Sequence, residues 1–75
     1  MSKKLPIVDG DRLRRALQRA GFVVIHVRGS AHFMEHGDGR RTTLHIHRGQ
    51  AIKRGTLSAI LDDVGISADE MRDLL

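Results

Sequence analysis

The Asp38-Gly39 pair constrains the fold more than any other feature, because an extended run lies on each side of it. Aspartate followed by glycine is a strong signal for a tight hairpin, since such turns need positive backbone φ angles that glycine adopts without strain. The run AHFMEH precedes the pair, and the run TTLHIH follows it. The sequence therefore predicts two antiparallel strands joined at this turn.

A helix and a further strand are predicted before this hairpin. Asp9 or Asp11 can cap the helix, and Gly21 can end it. The apolar residues of the helix recur at i, i+3, i+4 and i+7 and are Leu13, Ala16, Leu17 and Ala20. The next residues, FVVIHV, are β-branched or aromatic apart from the histidine, which predicts the first strand.

A second helix is predicted after the hairpin, with Thr56 as its cap and Gly65 at its end. Its apolar stripe consists of Leu57, Ile60, Leu61 and Val64. Ser67 and Glu70 then have the spacing of a capping box, in which each residue satisfies a backbone N–H of the other. This spacing predicts a short helical turn at the C-terminus.

The predicted order is α-β-β-β-α in a single α+β domain over residues 1–75. Two helices on one face of a three-stranded antiparallel sheet leave the other face open. Leu44 and Ile46 alternate with His45 and His47, so one side of the third strand should pack and the other should meet solvent or substrate. A chain this short buries only about 60% of its unfolded surface, which favours a large substrate on the open face over a deep cavity.

The composition is consistent with a polyanionic partner. The chain has 13 Lys and Arg residues against 9 Asp and Glu, a formal net charge of +4, which fits nucleic-acid binding or a surface that only maintains solubility. The absence of cysteine excludes disulfides, thiol catalysis and cysteine-ligated zinc. No apolar stretch has the length of a signal peptide core or a membrane span, so we expect a soluble, cytoplasmic protein with no membrane partner.

The basic residues form three groups along the chain. The groups are Arg12, Arg14, Arg15 and Arg19 on the first helix, Arg28, Arg40 and Arg41 around the hairpin, and Arg48, Lys53 and Arg54 before the second helix. We interpret the first group as a solvated helix face. Cations beside a helix N-terminus add to its partial positive charge, so the segment before Thr56 is predicted to hold phosphate.

Five short motifs occur in a specific order along the chain. They are GF after the first helix, RGS at the second strand, DGR in the hairpin, IH at the end of the third strand, and GTL at the opening of the second helix. In this order they resemble the HicA family of bacterial messenger-RNA interferases, from LPIVDGDRLRRALQRAGF to GTLSAILDDVGIS. The resemblance implies a fold like that of double-stranded-RNA-binding domains, metal-independent cleavage of messenger RNA, and a HicB-like antitoxin protein as partner.

The resemblance also implies a catalytic histidine directly after a Gly-Ser pair. Gly29 and Ser30 match this signature, but Ala31 stands where the histidine is expected. An imidazole can exchange a proton with a 2′-hydroxyl or a leaving oxygen near neutral pH, whereas a methyl group cannot. His32 is no simple replacement, because successive side chains of a strand point to opposite faces. We hypothesise that Ala31 is an introduced His-to-Ala change that disarms a toxin.

Each remaining candidate has a structural interpretation beside the functional one. His32 is a substrate contact or a half-buried structural histidine. His47 matches the family's histidine at the end of the third strand, where it touches RNA or is simply exposed. Gly29 lets an RNA backbone approach closely or only kinks the chain, and Ser30 bonds a phosphate or its own backbone.

The resulting hypothesis is an endoribonuclease toxin that acts on mRNA, with the chemistry centred on position 31 and inactivated by Ala31. The predicted RNA-binding residues are Arg28, His32, Arg40, Arg41, His47, Lys53 and Arg54. Two alternatives stay open: a non-catalytic RNA-binding module, and a structural domain whose open face is covered by another protein. No cofactor or metal is predicted, because His45 and His47 with His32 or His36 do not have the spacing of a metal site.

Overall fold

The computed structural model describes residues 4–75 and shows an α+β fold. Its elements are α1 (Gly10–Arg19), β1 (Phe22–Arg28), β2 (Ala31–His36), β3 (Arg41–His45), α2 (Arg54–Val64) and α3 (Ala68–Leu74). This confirms the predicted α-β-β-β-α order, and the predicted C-terminal turn forms the helix α3. The first three residues of the predicted 1–75 domain lie outside the described residues.

The helix ends differ in how they are capped. Asp9 caps α1, because its carboxylate accepts a hydrogen bond of 2.7 Å from the backbone N–H of Arg12. The prediction that Thr56 caps α2 is wrong, since α2 already begins at Arg54 and Thr56 lies in its first turn. The N-cap is Lys53, whose backbone carbonyl accepts the N–H of Leu57 at 2.8 Å and whose side chain makes no capping bond.

The three strands form one antiparallel sheet with β2 in the centre. The predicted hairpin joins β2 to β3: the N–H of His36 donates to the carbonyl of Arg40 at 2.9 Å, and Gly39 has a φ of 97°. The strand β3 ends at His45, two residues earlier than predicted. The N–H of Ile46 instead donates to the carbonyl of Ser30 at 2.9 Å.

The core lies between the helices and one face of the sheet. The apolar stripes predicted for both long helices are buried, except that Ala20 at the end of α1 is half-buried. From the sheet, the fully buried side chains include Phe22, Met34 and Leu44. Because side chains alternate along a strand, burial of Met34 places Ala31, Phe33 and Glu35 of β2 on the opposite, open face.

The residue pairing extends this open face across all three strands. Residues directly opposite each other on antiparallel strands project from the same side of the sheet. The partners of the open-face residues of β2 are Val23, His26 and Arg28 on β1 and Arg41, Thr43 and His45 on β3. None of the helices between residues 4 and 75 is long and apolar enough to cross a membrane.

Candidate nucleic-acid interface

Position 31 lies in the middle of a short row of residues across the open face. Arg28 of β1 pairs with Ala31, and Ala31 pairs with His45 of β3. Residues paired in this way have Cβ atoms about 4.5–5.5 Å apart. Ala31 is half-buried and on the open face, so it lies outside the helix-sheet core. Its partner Arg28 is a cation. We call these three residues the open-face row.

The turn before Ala31 is fixed by its backbone. Gly29 has a φ of 59°, in the left-handed region that favours glycine, and a Cβ built on it would meet nothing within 4 Å. The turn's conformation therefore accounts for this glycine, without a need for close approach by a ligand. The carbonyl of Ser30 accepts two hydrogen bonds, from the backbone of Ile46 at 2.9 Å and from Nδ1 of His32 at 3.0 Å.

His32 lies on the opposite face of β2 from Ala31, as the alternation predicts. It pairs with Val27 and with the buried Leu44, and its side chain is half-buried. Because a carbonyl oxygen only accepts hydrogen bonds, the bond to Ser30 requires that Nδ1 of His32 bears the proton. The contacts of His32 are thus those of a structural histidine that ties β2 to the turn before position 31.

A cleft of about 210 Å³ lies where β3 ends and α2 begins, and we call it the helix-end cleft. Its lining includes His45, His47, Lys53 and Thr56. His45 belongs both to this cleft and to the open-face row, so the cleft adjoins position 31. The structure therefore brings the predicted RNA-binding residues His47 and Lys53 towards the proposed site, and the exposed Arg54 is the next residue after Lys53.

A wider cleft of about 590 Å³ joins the open face of the sheet to the exposed flank of α2. Phe33 and His26 form part of its lining, with ring centroids 5.6 Å apart. Arg41 also lines it, with a side chain that is 73% exposed and pairs with Glu35 at 3.2 Å. An aromatic ring beside an exposed guanidinium is a surface on which a nucleic-acid base can stack.

Arg40, although predicted to bind RNA, is engaged away from these clefts. Its guanidinium donates to the backbone carbonyl of Val64 at the end of α2 and to the carboxylate of Asp38 at 2.9 Å. It also lies 5.2 Å from the ring centroid of Phe22. The hydrogen bond from Arg40 lowers the pKa of Asp38. The geometry thus gives Arg40 a role in joining the hairpin to α2.

Three of the four basic residues of α1 bind other groups of the fold. Arg14 and Arg15 bind the two carboxylate oxygens of Asp11 at 2.6 and 2.7 Å, and the hydrogen bond from Arg14 is the main cause that lowers the pKa of Asp11. Arg19 donates to the backbone carbonyl of Leu74 at 2.7 Å. These contacts agree with the interpretation of this group as a solvated face.

His45 was not predicted from the sequence as a binding or catalytic residue. Its place opposite Ala31 could have been predicted, because the hairpin sets the register of both strands. His36 pairs with Arg40 across the turn, so stepping back five residues on β2 and forward five on β3 leads to Ala31 opposite His45.

The histidines do not converge on a metal-binding arrangement. Among residues 4–75, no group of three or more His, Cys, Asp or Glu side chains is placed to hold a metal ion. His32 and His36 lie on the core side of β2, and Nδ1 of His36 accepts a hydrogen bond from the backbone N–H of Asp38 at 3.1 Å.

Comparison with known proteins adds one match. A family model described as the HicA toxin of bacterial toxin-antitoxin systems matches residues 10–66, from the first residue of α1 to the second residue after α2. This range covers well over half of the 75-residue chain and includes the open-face row and both clefts. No curated protein matches the chain.

Proposed function

Because the chain belongs to the HicA family of toxins, we propose that it is an endoribonuclease of messenger RNA whose substrate lies across the open face of the sheet. Membership also implies a HicB-like antitoxin as the protein partner. The observation that supports the proposal most directly is the open-face row, in which the half-buried position 31 lies between Arg28 and His45 on the uncovered face of the sheet.

The proposed chemistry needs a proton-transfer group at this row. A histidine at position 31 would present its imidazole on the open face, within reach of an RNA backbone held by Arg28. Imidazole has an ordinary pKa near 6.5, so it can take a proton from a ribose 2′-hydroxyl near neutral pH. Ala31 lacks this group, which supports the hypothesis of a His-to-Ala change in a toxin.

The proposed RNA path uses cations of the open face and of the start of α2. The phosphates would contact Arg28 and Arg41 on the sheet, and Lys53 and Arg54 at the start of α2. The N-terminus of a helix bears partial positive charge, which the two α2 cations reinforce. Contacts with the sugar-phosphate backbone predominate on such a surface, so we expect little sequence selectivity.

Restoring the imidazole tests the proposed function. We expect an Ala31→His variant to cleave an unstructured messenger-RNA transcript at least about 10²-fold faster than the Ala31 form, which is the lower end of general acid–base contributions. A Thr43→His variant is the matched control, because it adds an imidazole to the same face two residue pairs away from the open-face row. Equal rates for Ala31→His and the Ala31 form would contradict the catalytic role of position 31.

The second candidate function is a non-catalytic RNA-binding module. Ala31 itself favours it, because the residue has no group that transfers protons. A pure binding module would gain no nuclease activity from one imidazole. In cells, the nuclease proposal further predicts that the Ala31→His variant arrests growth and that a HicB-like product of the neighbouring gene reverses the arrest.

A further inference from the structure

We infer that His45 is the catalytic imidazole of the chain as it stands, acting from β3 in place of a histidine at position 31. The inference rests on the proposed function, since it concerns the same site and the same RNA backbone. It replaces the expectation of an inactive protein with that of a slower nuclease whose proton-transfer group has moved to the neighbouring strand.

The pairing of β2 with β3 supports this assignment. His45 is the direct partner of Ala31, so both side chains leave the sheet on the open face at adjacent points. Alanine has only a methyl group, so it obstructs its neighbours less than a larger side chain would. Rotation about the side-chain bonds of His45 can therefore bring its imidazole towards position 31. His45 is exposed, so an RNA strand on this face can reach its ring.

The other histidines of the sheet are less suited to this role. His32 and His36 project from the core side, where Nδ1 of His32 bonds to the Ser30 carbonyl and Nδ1 of His36 accepts the backbone N–H of Asp38. His26 is on the open face, but it pairs with Phe33 rather than with Ala31. His45 thus combines the correct face with the position next to Ala31, in the same row as Arg28.

The surroundings of His45 also supply the charge that the reaction needs. On one side, the open-face row continues to Arg28. On the other side, His45 shares the helix-end cleft with Lys53. Cations on both sides of a general base can hold the scissile phosphate and stabilise the negative charge that develops on its oxygens.

The proposed step can be written in full. The neutral imidazole of His45 accepts the proton of a ribose 2′-hydroxyl, and the 2′-oxygen forms a bond to the adjacent phosphorus. The bond from phosphorus to the 5′-oxygen breaks, and the departing oxygen takes a proton from water. The products are a 2′,3′-cyclic phosphate and a 5′-hydroxyl, and the hydroxide left from water recovers the proton from the imidazolium.

The test compares four purified proteins on one unstructured RNA transcript: the chain as it stands, His45→Ala, Ala31→His, and the double variant. We expect slow cleavage by the chain, with cyclic-phosphate ends, and a decrease on the order of 10²-fold in His45→Ala. In the Ala31→His background, His45→Ala should change the rate by only a few fold. This second comparison also shows that loss of the His45 side chain leaves a folded, competent enzyme.

The outcomes separate this inference from the proposed function. If Ala31→His cleaves RNA while the original chain does not, or if His45→Ala cleaves as fast as the original chain, then His45 has no catalytic role and the proposed function stands. If none of the four proteins cleaves RNA, both the inference and the proposed nuclease function are wrong. A rate that depends on His45 only when position 31 is alanine supports the inference.

Discussion

At the scale of single residues, the hydrogen bond between His32 and the Ser30 carbonyl leads to a specific prediction. Asparagine can place its Nδ2–H close to where histidine has Nδ1–H, whereas glutamine cannot, because its amide lies one carbon further out. We therefore expect His32→Gln to lower the free energy of unfolding by about 0.5–1.5 kcal/mol, and His32→Asn to lower it less. Urea unfolding of the three proteins measures the difference.

Because the same bond orients the turn before position 31, RNA cleavage provides a second measurement. In the Ala31→His background, His32→Asn should retain more activity than His32→Gln. Equal stability and equal activity of the two variants would show that the bond to Ser30 contributes nothing to the position of the site.

Single residues also show what the sequence could and could not predict about the site. The opposite orientations of Ala31 and His32 followed from strand alternation, and the pairing of Ala31 with His45 was available from the hairpin register. The contacts of Arg40 with Val64 and Phe22 could not be predicted from the sequence. It depends on how α2 packs against the hairpin, which no local pattern specifies.

At the scale of elements, α3 is the helix most dependent on its cap. It spans only seven residues, and short helices are marginal without specific terminal contacts. The Ser67 hydroxyl accepts the N–H of Glu70 at 3.0 Å, and the Glu70 carboxylate accepts the N–H of Ser67 at 3.0 Å. We expect Ser67→Ala to lower the free energy of unfolding by about 1 kcal/mol, as measured by thermal or urea unfolding.

The matched control is Ser58→Ala, because Ser58 is an exposed serine inside α2 rather than at a helix end. Alanine has a higher helix propensity than serine, so this variant should be as stable as the parent or slightly more stable. A comparable loss in both variants would mean that the capping bonds of Ser67 do not stabilise α3.

The same cap predicts a dependence on pH. The hydrogen bond from the Ser67 backbone, followed by that from its side chain, lowers the pKa of Glu70 below its ordinary value. A lowered folded-state pKa stabilises the fold above the unfolded-state value, and this contribution is lost as the pH falls through the lower, folded-state value. Ser67→Ala removes the hydroxyl but keeps the backbone N–H, so an NMR titration should show the pKa of Glu70 rising only part of the way towards its ordinary value. An unchanged pKa would show that the Ser67 side chain does not contribute to the lowered value.

Elements were predicted best where a residue with a specific capping role marks their ends. Asp9, Gly65 and the Ser67 box all lie where the sequence indicates. The start of α2 was predicted wrongly because Lys53 initiates it through backbone bonds alone, and a cap without a side-chain bond leaves no signature in the sequence. For the same reason, the early end of β3 was not visible in its alternating pattern.

At the scale of the whole molecule, the layer order determines where charge can meet a substrate. The helices cover one face of the sheet, which leaves Arg28 and Arg41 on the other face with position 31. The helix-end cleft adds Lys53, at the start of α2, next to His45. Of the α1 cations, Arg14 and Arg15 instead bind Asp11, and Arg19 donates to the Leu74 carbonyl. The cations that are not engaged by other groups of the protein are therefore concentrated on the side of position 31, which the net charge of +4 does not reveal.

This asymmetry predicts how salt affects RNA binding. Each phosphate contact with single-stranded RNA contributes about −0.7 to the slope of log affinity against log salt concentration. Lys53→Gln should therefore make the slope shallower by about 0.7 and weaken binding to all sequences alike, without loss of stability, because the Lys53 side chain makes no capping bond. Arg12→Gln removes the same charge from an exposed position on α1 and should leave the slope unchanged.

Fluorescence anisotropy with one labelled RNA over a range of salt concentrations measures both slopes. An equal change in the two variants would indicate that RNA responds to net charge alone, and that the open face has no preferred role in binding.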